Sequence, residues 1–427
     1  MMLARCRAAA RFAILLAALL PAAARGGDPP AAVGATEVEG RKAKALLKRS
    51  NGSIRVYAFR GGAATPIPFQ VDERDHRDHW ADDEGPSPVR DESPGIFDDN
   101  DVIVFMNHDL GARGAAAKLP PGAATWLEVR VGPEKQPIGY AYVGAFDSPP
   151  PLPRNLPDHC RYDPRSDEVF ADRYTVRFAG PLPSYLGLVP HPGAPAPNVL
   201  NGVRARGEVW ILGGLFHIVR SEKDIQYSLQ GYRDGPVRVI RSAKYWLTLP
   251  LGFKARGKVE LLFYENFVEG RARVNIKIPP RLVPAEGEMT AHFDFHDFGG
   301  ARVLDPSGAL SPPLDDQTLD ARRELGERPM RWAALRLPDG RTFLLAVRLG
   351  GSLARLDQRL YLDDSGGPEG GKPGFGFRLS GVSRLDTGEQ ELSVNGMVLD
   401  EPTEGGVAKA ADMLLSPPAV SVAPLAR

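Results

Sequence analysis

The sequence predicts a mainly β protein in which antiparallel sheets pack as a β-sandwich or supersandwich, in two domains. Two observations support this class. Apolar and polar residues alternate with a period of two in many short segments, whereas helical periodicity is scarce. The 46 glycines and 40 prolines are spread along the chain and separate these segments with turn sequences such as Pro338-Asp339-Gly340. We therefore expect little helix.

Residues 1–24 have the pattern of a secretory signal peptide. Arg5, Arg7 and Arg11 precede an apolar run at 12–20, and small residues follow the run. Because a bilayer needs roughly 20 apolar residues in a helix, this run is too short to span one. We expect cleavage after Ala24 or within 24–27. No lipobox cysteine follows the run, so the expected location is periplasmic or secreted, without a lipid anchor.

The strands are expected where the alternation is clearest. These segments are 45–48, 54–59, 102–106, 126–131, 140–146, 174–178, 237–240, 245–249, 259–264, 274–278, 291–295, 332–337, 342–349, 376–379 and 391–397. The Asn51-Gly52 pair lies between the first two segments. It favours a type I′ turn and therefore a hairpin.

A proline-rich segment divides the predicted strands into two groups. Proline lacks the N–H donor that a sheet ladder needs, so residues 148–157 are expected to form an extended spacer. The expected organisation is a signal peptide at 1–24, an N-terminal β-sandwich domain at 25–150, a linker at 151–157, a larger β-sandwich domain at 158–415 and a mobile tail at 416–427.

Composition excludes several classes of function. The 53 basic and 53 acidic side chains balance, so the chain has no excess of positive charge that would attract nucleic acid. No later apolar run reaches spanning length, so no membrane span is expected. Cys160 is the single cysteine outside the signal peptide, which excludes an internal disulfide and multi-cysteine zinc sites. Cys160 beside His159 is interpreted either as a nucleophile or as a half-buried loop thiol.

An acidic turn is the first candidate site. Asp98, Asp99, Asn100 and Asp101 place several oxygen ligands in one turn, and Asp72 comes from a preceding strand end. Calcium prefers six to eight such oxygens, although the spacing does not fit an EF-hand. The expected calcium ligands are Asp72, Asp98, Asp99 and Asp101. Two alternatives stay open: a solvated turn closed by local side-chain bonds, and a catalytic carboxylate.

The same segments carry a resemblance. Residues 66–73 (PIPFQVDE) and 97–106 (FDDNDVIVFM) together resemble a family of uncharacterised secreted bacterial β-rich proteins of about this length. Because that family is uncharacterised, the resemblance implies no activity for this chain. More distantly, the chain resembles carbohydrate-active proteins with supersandwich folds. This resemblance is an analogy at the level of the fold only.

A histidine strand is the second candidate site. On a strand over 291–295, the residues His292, Asp294 and His296 share one face while Phe293 and Phe295 share the other. Two imidazoles and a carboxylate can bind a transition metal or act as acid and base on a sugar hydroxyl. The alternative is an amphipathic strand with a polar outer face. A weaker pair, His76 and His79, lies in an acid-rich segment that reads more simply as a solvated loop.

Aromatic and arginine side chains are the remaining candidates. The aromatic residues that can serve as sugar platforms or as core are Trp80, Trp126, Tyr185, Trp210, Trp246 and Trp332. Arg233, Arg238 and Arg241 can bind uronate carboxylates or form a cross-strand ion-pair face. Signatures of the common α/β hydrolases, nucleotide enzymes, zincins and dinucleotide enzymes are missing from the sequence.

These observations favour an exported protein that recognises an extracellular or periplasmic ligand, with polysaccharide as the expected carbohydrate ligand and calcium as the expected ion. The first alternative is a carbohydrate-active lyase or glycosidase on the same fold, using His292, Asp294 and His296. A second alternative is a non-catalytic envelope protein. The oligomeric state is not predicted.

Deleting residues 1–24 should keep the protein in the cytoplasm, because the apolar run at 12–20 carries the expected targeting information. Immunoblots of cytoplasmic and exported fractions measure this. Normal export of the truncated chain would contradict the signal-peptide prediction.

Overall fold

The computed structural model describes residues 33–189, 196–211, 216–248, 254–276, 285–296, 299–314, 319–363 and 374–425. The predicted signal peptide and the ends of predicted strands 245–249 and 274–278 lie outside these ranges. The strands form five sheets, and every strand pairing described is antiparallel. The prediction of a mainly antiparallel β protein is confirmed.

Two sheets form an N-terminal sandwich. The three-stranded sheet has the order β1 (Ala35–Glu39), β5 (Val102–Met106), β4 (Gln70–Asp72). The five-stranded N-terminal sheet has the order β25 (Val420–Pro424), β6 (Ala123–Val131), β7 (Gly139–Phe146), β2 (Ile54–Arg60), β3 (Ala63–Pro66). Ile103 and Phe105 of β5 pack in the apolar core between these two sheets.

A four-stranded sheet follows the proline-rich segment. Its order is β11 (Pro183–Leu188), β10 (Tyr174–Phe178), β9 (Glu168–Ala171), β8 (Cys160–Asp163). Apolar side chains of this sheet, Val169 and Leu188 among them, join the largest core of the molecule.

The largest layers are an eight-stranded and a five-stranded sheet. The eight-stranded sheet has the order β14 (Ile225–Asp234), β15 (Val239–Thr248), β16 (Lys254–Phe263), β17 (Phe267–Ile276), β24 (Gly388–Leu399), β21 (Thr342–Leu349), β20 (Trp332–Arg336), β19 (Arg302–Leu304). The five-stranded C-terminal sheet has the order β13 (Phe216–Ser221), β12 (Leu200–Ile211), β18 (Ala285–Phe295), β23 (Gly374–Ser380), β22 (Asp357–Asp363). The α-helices described are α1 (Leu319–Gly326) and α2 (Glu404–Leu415). No helix in the described ranges is long and apolar enough to cross a membrane.

The eight-stranded sheet is covered on both faces. Phe343 on one face packs against Phe295 and Phe375 of the five-stranded C-terminal sheet. The opposite face packs against α2 and against Val102, Val104 and Met106 of β5. Strand β5 therefore contributes alternate side chains to two cores, and the N-terminal sandwich is packed directly on the larger sandwich.

Two local predictions differ from the structure. Residues 44–46 and 51–53 form 3-10 turns, so the hairpin expected around Asn51-Gly52 is wrong. Gly52 lacks the positive φ that a type I′ turn requires. In the segment expected as a mobile tail, 416–427, the residues of β25 pair with β6, with Val420 opposite Val131. Val420 and Val422 alternate toward the N-terminal core, and this apolar spacing holds the segment in the sheet.

Residues 73–92, which we call the strap, follow β4 and run beside the edge strand β14. The backbone N–H of Tyr232 donates to the carbonyl of Glu84 at 2.9 Å, which extends the sheet by a short bridge. Gly85 has a φ of +135°, and a Cβ there would lie 2.4 Å from the Cα of Gly231. Only glycine permits this close approach, and the strap thereby covers the edge of β14.

A buried arginine joins the N-terminal sandwich to the eight-stranded sheet. Arg238, immediately before β15, has no exposed surface. Its Nε donates to Asp72 Oδ2 at 2.8 Å, and its Nη1 donates to Glu37 Oε1 at 2.5 Å and to Tyr264 Oη at 2.6 Å. Asp72 ends β4 and Glu37 lies in β1, so one guanidinium holds both outer strands of the three-stranded sheet.

The strap is fixed by the same cluster. The indole of Trp80, which is buried, contacts two guanidinium groups: the Cζ of Arg74 is 3.9 Å and the Cζ of Arg238 is 4.5 Å from the ring centre. Such cation–π contacts are worth about 2 kcal/mol when they are removed from water. We call the residues Glu37, Asp72, Arg74, Trp80 and Arg238 the arginine cluster.

Replacing Arg238 with Met should lower the free energy of unfolding by about 3 kcal/mol, because the buried carboxylate of Asp72 would keep only Arg233 as a cationic partner and Glu37 would lose its shortest ion pair. The matched control is Arg49→Met. Arg49 pairs with Asp147 at 2.8 Å on the surface, where the two side chains are 38% and 81% exposed. The control should cost less than about 1 kcal/mol. Urea denaturation measures both, and equal losses would contradict the role given to Arg238.

Candidate functional site

The acidic turn is closed by bonds to the backbone. Asp101 is fully buried, and its carboxylate accepts from the N–H of Asp98 at 2.9 Å and from the N–H of Arg74 at 3.2 Å. Asp98 in turn accepts from the N–H of Asn100 at 3.2 Å, and Asp99 is exposed. Burial raises the pKa of Asp101 to about 7. This geometry is that of a turn stabilised by side-chain-to-backbone bonds.

Asp72 points away from that turn. Its carboxylate pairs with Arg238 at 2.8 Å and Arg233 at 3.0 Å, and it accepts from Gln70 at 2.6 Å. In the ranges that the structure covers, the groups of three or more possible metal ligands within 4.8 Å of one another do not include Asp72, Asp98, Asp99 or Asp101. Calcium at these four residues stays a prediction.

The histidine strand has the expected alternation of faces. The rings of Phe293 and Phe295 make edge-to-face contacts with the ring of Phe343 in the core. On the other face, His292 Nε2 lies 3.1 Å from Asp294 Oδ1, and His292 stacks on Tyr361.

His296 stands apart from His292 and Asp294. Asp294 Oδ2 accepts from Arg204 Nε at 2.9 Å, so an arginine holds the carboxylate of the expected catalytic group. His296 is exposed and lies 3.5 Å from the side-chain amide of Asn198. A catalytic role for the three residues stays a prediction.

Cys160 is fully enclosed rather than half-buried. Burial raises the pKa of its thiol well above the ordinary value, so the thiolate needed for nucleophilic attack is disfavoured. His159 directs its Nδ1 to Asp172 at 2.9 Å instead. The expected half-buried loop thiol is wrong in both respects, because Cys160 is buried and begins strand β8.

A groove lies between the strap and the face of the eight-stranded sheet. Its volume is about 1000 Å³, at the upper end of the range for ligand pockets. The cations that line it are Arg77, Arg90, Lys244, Arg256, Lys258 and Arg273. The carboxylates that line it are Asp75, Glu92 and Glu389. The groove therefore has more basic than acidic side chains, although the whole chain is balanced.

Three of these cations face one another across adjacent strands. Lys244 of β15 is directly opposite Lys258 of β16, which is directly opposite Arg273 of β17. Like charges at opposed positions on one sheet face repel and destabilise the sheet. Lys258 has Glu260 at 2.8 Å and Arg273 has Glu391 at 3.7 Å, whereas Lys244 is exposed and has no carboxylate partner in the part of the chain described. We call Lys244, Lys258 and Arg273 the cation row.

Trp246 lies next to this row. It is two residues from Lys244 on the same face of β15, and its half-buried indole lines the groove. Its Nε1 donates to Gln226 on the neighbouring strand, which fixes the orientation of the ring. Of the aromatic residues singled out in the sequence, Trp80 belongs to the arginine cluster, and Trp126 and Trp332 are buried in cores.

The strap contributes two histidines to the groove. His79 Nδ1 lies 3.1 Å from Asp75 Oδ2, and His76 Nδ1 lies 2.5 Å from Glu92 Oε1. Each is therefore a histidine–carboxylate pair facing the same cavity. The sequence left two roles open for Arg233, Arg238 and Arg241: uronate binding or an ion-pair face. In the structure they form internal ion pairs, Arg233 and Arg238 with Asp72 and Arg241 with Asp167.

A histidine–carboxylate cluster was missed by sequence reasoning. His108 and Asp109 follow β5, His159 precedes β8, Asp172 lies between β9 and β10, and Glu265 lies between β16 and β17. The ligand atoms of His108, Asp109 and His159 lie within 4.8 Å of one another, as do those of His159, Asp172 and Glu265. These residues come from four separate parts of the sequence, so no local spacing indicates them.

No protein-family model and no curated protein matches the chain. Among solved structures, it is similar to an alpha-mannosidase from Enterococcus faecalis V583, with 9% identity and a TM-score of 0.51, over 92% of this chain and 44% of the mannosidase. It is also similar to an alpha-N-acetylgalactosaminidase from Bifidobacterium bifidum, with 12% identity and a TM-score of 0.35, over 62% of this chain and 38% of that enzyme.

The chain thus spans less than half the length of either enzyme. The mannosidase likeness concerns the fold, and it agrees with the antiparallel β-sandwich class that the sheets define.

The raised pKa of Asp101 should make stability fall as pH rises. The folded protein keeps a proton on Asp101 up to about pH 7, whereas an unfolded aspartate loses it near pH 3.9. The stabilisation is therefore present at pH 4 and is lost as pH passes through 7. Asp101→Asn should reduce the decline in unfolding free energy between pH 5 and 8 by about 2–3 kcal/mol.

Urea denaturation at pH 5 and pH 8 measures this decline. The exposed neighbour Asp99 provides the control Asp99→Asn, which should leave the pH dependence as in the wild type. An unchanged pH dependence in Asp101→Asn would contradict the assignment.

Proposed function

We propose that this protein is exported and binds an acidic polysaccharide, of the polyuronate type, in the groove between the strap and the eight-stranded sheet. The observation that carries the proposal is the cation row. Lys258 and Arg273 each have one carboxylate partner, whereas Lys244 has none among the described residues, so the row leaves an excess of positive charge in the groove. A bound chain of carboxylates would be attracted to this charge. With a volume of about 1000 Å³, the groove has room for several sugar units.

Trp246 supports the choice of a sugar rather than a simple anion. A half-buried indole beside a row of cations offers an apolar ring face next to groups that bind carboxylates. A uronate sugar has the same two features, an apolar ring face and a carboxylate. The predicted signal peptide at 1–24 fits a ligand outside the cytoplasm.

A second candidate function, a uronate lyase, is favoured by the two histidine–carboxylate pairs in the groove. In a β-elimination, a base takes the proton from the carbon next to the uronate carboxylate. The electron pair forms a carbon–carbon double bond, and the adjacent glycosidic C–O bond breaks while its oxygen takes up a proton. His79 with Asp75 and His76 with Glu92 offer the base and the acid, and the cation row would stabilise the charge that develops on the carboxylate.

Replacing Lys244 and Arg273 together with Gln should weaken binding of polygalacturonate at least about tenfold, because each charge-assisted bond is worth about 1.5–3 kcal/mol. The control is Lys118→Gln, an exposed lysine of the N-terminal sandwich outside the groove. It should bind as the wild type does. Isothermal titration calorimetry measures the affinities, with dextran as a neutral polysaccharide.

Equal affinity of wild type and double variant, or equal binding of dextran, would contradict the proposed site. The lyase function is tested separately by the ultraviolet absorbance of unsaturated products. Product formation that is lost in His79→Ala while binding is kept would support an enzyme. Binding without product would support a binding protein.

A further inference from the structure

The histidine–carboxylate cluster lies away from the groove, where three layers of the fold meet. His108 and Asp109 belong to the turn that follows β5 of the N-terminal sandwich. His159 and Asp172 flank strands of the four-stranded sheet, and Glu265 lies in the turn between two strands of the eight-stranded sheet. None of these residues takes part in the proposed polysaccharide site.

We propose that this cluster binds a divalent transition-metal ion, with Zn²⁺ as the ion of choice. His159 is the central ligand. Its Nδ1 lies 2.9 Å from Asp172 Oδ2 and 3.3 Å from Glu265 Oε2. When His159 is neutral and carries its proton on Nδ1, next to these carboxylates, Nε2 has the lone pair that an ion can bind.

Two buried polar atoms without hydrogen-bond partners are a second observation that supports the site. His159 is only 7% exposed, and its buried Nε2 has no hydrogen-bond partner among the residues that the structure describes. The same holds for Oδ2 of the buried Asp109. Burying a polar atom without a partner is unfavourable, because the atom loses its hydrogen bonds to water and gains none in the protein. A metal ion between His159 and Asp109 would satisfy both atoms at once.

The remaining side chains complete the proposed coordination set. The ligand atoms of His108, Asp109 and His159 lie within 4.8 Å of one another, close enough to converge on one ion after small side-chain rotations. Asp172 and Glu265 then act as the carboxylates that orient a ligating imidazole. His108 Nδ1 lies 3.5 Å from Glu265 Oε1, so this carboxylate contacts both histidines.

The donor set selects the class of ion. Two imidazoles and one to three carboxylates suit Zn²⁺ and its neighbours in the first transition row, whereas Ca²⁺ prefers oxygen donors alone. His108 is 29% and Asp172 is 44% exposed at the side chain, so the cluster is open to solvent on one side. An ion can therefore enter and leave without unfolding of the protein, and it would connect the three layers.

The test uses the full mature chain without an affinity tag, freed of metal by dialysis against chelator. Titration with Zn²⁺ followed by calorimetry should show one site per chain, and Zn²⁺ should raise the melting temperature while chelator reverses the rise. Ca²⁺ at the same concentration should not raise the melting temperature by binding to this cluster. Metal content after gel filtration gives a second readout.

His159→Gln and His108→Gln should each weaken Zn²⁺ binding at least tenfold. His108 is partly exposed, so its variant keeps the test valid if His159→Gln does not fold. The matched control is His217→Gln, a histidine of β13 outside the cluster, which should bind Zn²⁺ as the wild type does. The proposal would be overturned if Zn²⁺ did not raise the melting temperature of the wild type, or if the cluster variants bound Zn²⁺ as tightly as the control. The cluster would then be a network of ion pairs without a metal.

Discussion

The buried pair of Arg238 and Asp72 is the interaction on which the arrangement of layers depends. Neither side chain has any exposed surface, so each charge needs partners in the interior, and Asp72 has a second cationic partner in Arg233. Glu37 shares the same guanidinium. These contacts fix both outer strands of the three-stranded sheet on the eight-stranded sheet, and Trp80 carries the constraint into the strap.

The groove is a consequence of this arrangement. The N-terminal sandwich covers only the first part of strand β15, where Ile240 is buried. Further along the same face of β15, Lys244 and Trp246 are uncovered and line the groove. The strap forms the opposite wall because Trp80 and the bridge from Glu84 to Tyr232 hold it there. The arginine cluster therefore serves the proposed binding site without touching a ligand.

The local features of the fold were predictable from the sequence. Alternation indicated strands at Val102–Met106 and Thr342–Leu349, and it placed Phe293 and Phe295 in the core. Turn chemistry also indicated that side chains at 98–101 bond to nearby backbone groups. These features depend on residues within a few positions of one another, which is the range over which periodicity and turn propensities act.

The features that assemble the sites were not predictable in this way. Asp72 and Arg238 are separated by 166 residues, and the histidine–carboxylate cluster joins turns from three sheets. Opposed cations such as Lys244 and Lys258 become visible only when strand register is known. The strand at Val420–Pro424 was missed because its short apolar alternation matters only beside the edge of β6.

The most direct test of this account is hydrogen–deuterium exchange of the wild-type protein with and without an oligogalacturonate. The account predicts slower exchange in the strap and in β15 and β16, because the ligand would lie between them and hold them together. Protection confined to the five-stranded N-terminal sheet or to the outer face of the five-stranded C-terminal sheet, with the strap unchanged, would contradict it.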